Sequence, residues 1–176
     1  MIGAITAGLY GTGVPPVTNS YESIATVSAS GSSVVTFSSI PSTFKHLQIR
    51  CSSTPSSATY NFLRINSDTA SNYATHQLQG NGATASATGG NSNLIYVSNY
   101  SGTSSAAAII DILDYANTSK NTTVRTLTGA DSNGAGSVFL RSGAWFNTAA
   151  VSTITITVDA GTYSTGSSFA LYGIKG

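Results

Sequence analysis

Charged side chains are scarce in this sequence. Asp, Glu, Lys and Arg make up 7% of 176 residues, against about 25% in an ordinary globular domain. The seven cations are scattered and the formal net charge is +1. Binding to nucleic acid needs a clustered basic footprint, and this distribution argues against that class of partner. There is one cysteine, Cys51, so no internal disulfide framework can form. Its place in the alternating run Leu47, Ile49, Cys51 makes it a small buried residue in preference to a reactive thiol. There are two histidines, His46 and His76, on separate runs with no Cys or Asp at ligand spacing. A metal site needs three or four ligands, so none is expected, and no cofactor motif accompanies them. Long hydrophobic runs are also missing. The apolar beginning of the chain lacks a basic flank and is broken by Gly3, Gly8 and Gly11, so we expect neither a signal peptide nor a membrane span.

Catalytic patterns are equally sparse. Gly-x-Ser-x-Gly, Gly-x-Gly-x-x-Gly and phosphate-loop spacings do not occur, and no catalytic residue is assigned. Asp111 and Asp114 would face opposite sides of a strand and share a face only on a helix. Two carboxylates alone are a weak hint of glycosidase chemistry. Asp131-Ser-Asn-Gly134 opens like a calcium loop but has no downstream bidentate Glu, which leaves an Asx-type turn.

What is present is β-forming. Hydrophobic residues reach 40%, too many for a disordered chain. The length suits one domain that removes about 70% of its unfolded surface from water. The stretch from Gly136 to Gly176 carries the densest patterning. Val151-Ser-Thr-Ile-Thr-Ile-Thr-Val158 alternates with period two, the mark of a half-buried strand. Ser168-Phe-Ala-Leu-Tyr-Gly-Ile174 has large apolar residues on both faces and predicts a central, doubly covered strand. With the run from Ser137 to Phe146 these are expected to form one sheet.

Upstream, Tyr21–Ser28 and Val34–Phe37 flank Ser30-Gly-Ser32, a hairpin signal. Lys45–Cys51 and Tyr60–Asn66 alternate as strands. Residues 79–93 hold nothing apolar larger than alanine and predict a long exposed loop. Residues 105–115 fit either a strand or a helix; the β-branched cluster favours a strand, with Thr122–Leu127 as its hairpin partner. About ten short strands bounded by turn residues give an all-β, antiparallel two-sheet β-sandwich, jelly-roll-like, over residues 20–176. Residues 1–19 read as an extended N-terminal arm. Its apolar members Ile2, Ile5, Leu9, Tyr10 and Val14 would be covered by a partner surface or by the domain's own sheet edge. Tyr60, Tyr96, Tyr100 and Tyr163 are candidates for a flat surface that stacks on sugars or docks on protein.

Several stretches together resemble a known group. They are Tyr21-Glu-Ser-Ile-Ala-Thr-Val, Ile40-Pro-Ser-Thr-Phe-Lys-His-Leu-Gln-Ile-Arg50, Ile65-Asn-Ser-Asp-Thr-Ala-Ser-Asn-Tyr73, Ile110-Asp-Ile-Leu-Asp-Tyr-Ala-Asn117 and Gly166-Ser-Ser-Phe-Ala-Leu-Tyr-Gly-Ile-Lys175. In style and short motifs they are similar to virion structural proteins of tailed bacteriophages from marine bacteria and cyanobacteria. The resemblance implies a non-enzymatic β-sandwich on the capsid exterior. There it would act as a decoration or cement protein, a homotrimer whose partner is the major capsid protein or another virion protein. The alternative it implies is a tail-fibre or receptor-binding module that recognises host surface glycans. Neither role brings nucleic acid, membrane or cofactor with it.

Overall fold

The computed structural model describes residues 20–57, 60–100 and 104–176, and among these there are twelve strands and no helix. In chain order they are β1 (Tyr21–Ala29), β2 (Val34–Phe37), β3 (His46–Ser53), β4 (Tyr60–Ile65), β5 (Tyr73–Gly80) and β6 (Ala85–Ser92). The second half contributes β7 (Ile95–Asn99), β8 (Ala106–Leu113), β9 (Thr122–Ser132), β10 (Ala135–Trp145), β11 (Ile154–Val158) and β12 (Ser167–Ile174). They pair into an eight-stranded sheet, β1-β12-β3-β8-β9-β10-β5-β6, and a four-stranded sheet, β2-β11-β4-β7. The expected arm, residues 1–19, lies outside the described residues.

Setting aside the hairpins β5–β6 and β9–β10 leaves two four-stranded layers, β1-β12-β3-β8 and β2-β11-β4-β7. The chain passes from one layer to the other at each step except β4 to β7. That is the strand order of a jelly roll built from two Greek keys. The two extra hairpins join each other through the β10–β5 ladder. They double the width of one layer. Residues 106–113 are a strand, alternating buried and open along its length and paired with β9, so the strand reading holds over the helical one.

Period-two patterning explains the core. Leu47 and Ile49, Leu63 and Ile65, Ile110 and Ile112, Ile154 and Ile156, and Phe169 and Leu171 are all fully buried and belong to one cluster spanning both layers. Each contributes roughly 1.5–3 kcal/mol of apolar transfer. β-branched side chains predominate because they suit a pleated, half-covered surface. Asn133 and Gly134, with φ of 37° and 94°, close β9–β10 as a two-residue turn that needs left-handed backbone at both positions.

Four expectations are corrected. Ser30-Gly-Ser32 does not close a hairpin, because β1 and β2 lie in different sheets. The backbone here pairs instead with the β11–β12 connection: Gly31 N donates to Tyr163 O at 2.8 Å, and Tyr163 N to Ser32 O at 2.8 Å. Residues 79–93 are not a loop. A short turn, held by Asn81 Oδ1 accepting from the amides of Ala83 and Thr84, leads into β6, which pairs with β5 along its whole length. Its Ala, Ser, Thr and Gly side chains are nearly all exposed, so no apolar alternation marks it. The three C-terminal runs do not share a sheet, since β11 belongs to the narrow layer while β10 and β12 are separated by β3, β8 and β9. β12 is flanked on both edges, by β1 and β3, but only its inner face is covered. Ala170, Tyr172 and Ile174 remain half-exposed, because no second layer lies on that side.

Replacing Ile156 with Ala is expected to lower stability by about 2–5 kcal/mol. Ala87→Ser in β6 should stay within about 0.5 kcal/mol. Denaturant unfolding of the two variants checks the contrast.

Candidate functional site

The groups that could carry chemistry are tied into structural contacts. Asp111, on the outer face of β8, accepts from Gln48 Nε2 at 2.8 Å. Asp114 lies just past the end of β8 at φ 49° and is held by Lys45 at 3.0 Å and by Lys120. The hydrogen bonds of Lys120 and Lys45 pull its pKa down to about 2. His46 Nδ1 accepts the Asp114 amide proton at 2.9 Å, while His76 is exposed on β5. Among the described residues no three His, Cys, Asp or Glu converge as metal ligands. Cys51 is buried, and desolvation raises its thiol pKa to about 12, which fits a packing role and not a nucleophile.

The four candidate tyrosines separate into two pairs. Tyr163 is fully buried and donates to Asn61 Oδ1 at 2.8 Å. Tyr100 is partly buried; its hydroxyl accepts from Asn61 Nδ2 and bonds Ser53 Oγ at 2.7 Å. Burial pushes both phenols up, Tyr100 to about 12. Their hydroxyls turn into the sandwich, where the buried Asn61 needs both partners to satisfy its amide; Tyr163 is thereby withdrawn from the surface, while Tyr100 stays partly open. Tyr60 is exposed and Tyr96 half-exposed. Their rings meet edge to face at 5.4 Å, and Phe62 joins Tyr96 at 5.1 Å in the same manner.

Tyr60 and Tyr96 form one wall of an open groove of about 360 Å³. The opposite wall comes from the inserted hairpin, with Thr75 and Gln77 on β5 and Gly89 to Ser92 on β6. Amides, hydroxyls and bare backbone therefore face a pair of aromatic rings. Behind Gln77 lies Arg141 on β10, only 1% exposed. Its Nε donates to Gln77 Oε1 at 3.0 Å, its Nη2 to Asn99 Oδ1, and its guanidinium carbon sits 4.2 Å from the Phe139 ring centre. No ion pair among the described residues includes it. Desolvation draws its pKa down to about 10, opposed by Tyr60 and Tyr96. Its Nη1 is buried without a protein partner among the described residues, as are the hydroxyls of Thr75 and Thr126.

The outer face of the wide sheet carries a second feature that the sequence reading did not single out. Ile109, Leu127, Leu140 and Leu78 sit directly opposite one another across β8, β9, β10 and β5. With Val138 they are 42–55% exposed. Some neighbouring positions are Ala or Gly, with Ala87 opposite Leu78, and Gly80 and Gly129 opposite Val138, while Arg50 closes the other end opposite Ile109. The signal was present in the sequence as consecutive apolar residues, Ile109-Ile110 and Val138-Phe139-Leu140, which place large side chains on both faces of a strand.

Compared with protein-family profiles and with curated proteins, the chain matches none. Among solved structures it has a likeness to an exo-inulinase from Aspergillus awamori, at 13% identity and a TM-score of 0.39, over 92% of this chain and 29% of that one. A variant of an alginate lyase in complex with an alginate tetrasaccharide gives 8% identity and a TM-score of 0.28, over 89% of this chain and 98% of that one. The chain thus spans under a third of the length of the inulinase, and at these scores neither likeness bears on what it does.

Because the Asp114 carboxyl is held below its ordinary pKa in the folded state, its ion pairs stabilise fully above about pH 4 and are lost as pH falls through about 2. Asp114→Asn should therefore melt earlier than the parent chain at pH 5–7, with the gap closing toward pH 2. Thermal melts across that range check it.

Proposed function

We propose that the chain is a non-enzymatic structural protein of a tailed-bacteriophage virion, a decoration or cement protein on the capsid exterior. The observation that carries this reading is the apolar row Ile109–Leu127–Leu140–Leu78 on the outer face of the wide sheet. Exposed apolar patches of this kind mark protein contact, and the resemblance of the sequence motifs to virion proteins supplies the setting. The apolar residues of the arm would add to the contact, as would the uncharged, proline-free edge of β6, which is open to strand addition.

Magnitudes favour a repeated setting. Covering the exposed halves of five aliphatic side chains yields roughly 4–7 kcal/mol, while association costs roughly 4–15 kcal/mol in lost freedom. One such patch alone binds weakly. A trimer, or a lattice of identical sites, converts weak contacts into firm attachment.

A second reading, a tail-fibre or receptor-binding module for host glycans, is favoured by the groove between Tyr60, Tyr96 and β5–β6. Aromatic rings facing amides and hydroxyls suit a sugar, which has an apolar face and polar rim.

The double variant Leu127→Asp, Leu140→Asp is expected to fold, since both side chains are exposed, and to lose co-sedimentation with virions stripped of this protein. Undiminished attachment would rule out the face as the docking surface. Quantifying the protein in intact particles separates the readings: many copies spread over the head fit decoration, a few at the tail fit receptor binding.

A further inference from the structure

We infer that the groove between Tyr60, Tyr96 and the β5–β6 hairpin binds a carboxylate-bearing saccharide, and that Arg141 is the residue that recognises its charge. This rests on the receptor-binding reading of the groove and goes further by fixing the chemical class of ligand.

Arg141 carries a charge with no counterpart among the described residues. A guanidinium withdrawn from water and left without an acid is destabilising. The Phe139 ring offsets part of this cost, and the side-chain carbonyls of Gln77 and Asn99 occupy Nε and Nη2. Nη1, which offers two further N–H donors, has no acceptor among the described residues. All six acids of the chain lie in described segments, and none reaches Arg141 as an ion pair. A methionine or glutamine would fill this interior more cheaply, so a role that needs a fixed positive charge accounts for the arginine. An anion supplied from outside fits that role.

The surroundings identify the rest of the ligand. Gln77 links the two places, since it lines the groove and also accepts from Arg141. Displacing its amide oxygen opens the guanidinium to a carboxylate in the groove. Thr75, one pair of positions along the same face of β5, brings a buried hydroxyl with no partner, and Gly90, where an added Cβ would meet nothing within 4 Å, leaves room above it. The Tyr60–Tyr96 wall gives a sugar ring an apolar surface to pack on. An acidic peptide would satisfy Arg141 equally, but it would leave this pairing of aromatic wall and hydroxyl-lined floor without use. A uronic or sialic acid uses both.

The test presents the full-length protein to an array of uronate- and sialate-bearing glycans, their methyl esters, their neutral parents, and polyglutamate. Carboxylated glycans should be retained, and esterification should weaken retention at least about tenfold, as loss of one charge-assisted pair implies. Tyr96→Ala and Arg141→Met should each abolish retention. Tyr96 is half-buried against Tyr60 and Phe62, so a melting curve accompanies its variant to show that it is folded. If Arg141→Met does not fold, the ester comparison and Tyr96→Ala decide. Equal retention of neutral and acidic glycans would overturn the assignment to Arg141 while leaving glycan binding intact. Retention of no glycan would overturn both, and stronger retention of polyglutamate would replace the saccharide with a protein partner.

Discussion

Everything distinctive in this molecule follows from a mismatch in width: eight strands in one layer are faced by four in the other. Apolar alternation works where both layers are present. There Ile49, Ile110, Ile154 and Leu171 share one dry interior, and the jelly-roll strand order places each of them opposite another strand's inward set. Past β7 the narrow layer ends. The inner faces of β10 and β5 have less to pack against, and their inward positions turn from isoleucine and leucine to Thr75, Gln77 and Arg141. Where the backbones do approach, at Gly143, an added Cβ would lie 2.7 Å from Ile95, so β7 is seated closely on β10 before the interior turns polar.

The same mismatch decides what could be read in advance. The eight jelly-roll strands were legible because one face of each is in a core, and period two is the imprint of a one-sided environment. The run 154–158, with Ile154, Ile156 and Val158 buried and Thr155 and Thr157 half-open, is the plainest case. β6 was invisible for the opposite reason, as both its faces meet water and only the ladder to β5 holds it. Partnership between strands was harder still. β1 and β2 are adjacent in sequence and joined by turn residues, yet the contacts that place them are long-range ladders to β12 and β11. No local signal reports those.

The candidate surfaces were half legible. Four tyrosines placed beside small-residue loops and turns pointed to an aromatic surface, and two of them, Tyr60 and Tyr96, pack together at the groove. Tyr100 and Tyr163 were indistinguishable from them by sequence, because what separates the pairs is the buried amide of Asn61, on the opposite face of β4 from Tyr60. Arg141 drew no notice as one of seven scattered cations. Its singularity lies in burial without an acid, which depends on Gln77, Asn99 and Phe139 from three strands.

The two inserted hairpins contribute to both proposed surfaces, on opposite sides of the same strands. Leu78 and Leu140 point outward from β5 and β10, while Thr75, Gln77 and Arg141 point inward on those strands, in keeping with side-chain alternation. A partner covering the outer apolar row would therefore leave the groove turned away from the contact and open to solvent. Adhesion and ligand capture need not compete for area, and a subunit fixed to a particle by one face of the insertion would display the other. Decoration and receptor binding, which compete as accounts of the whole chain, are compatible as accounts of its two faces.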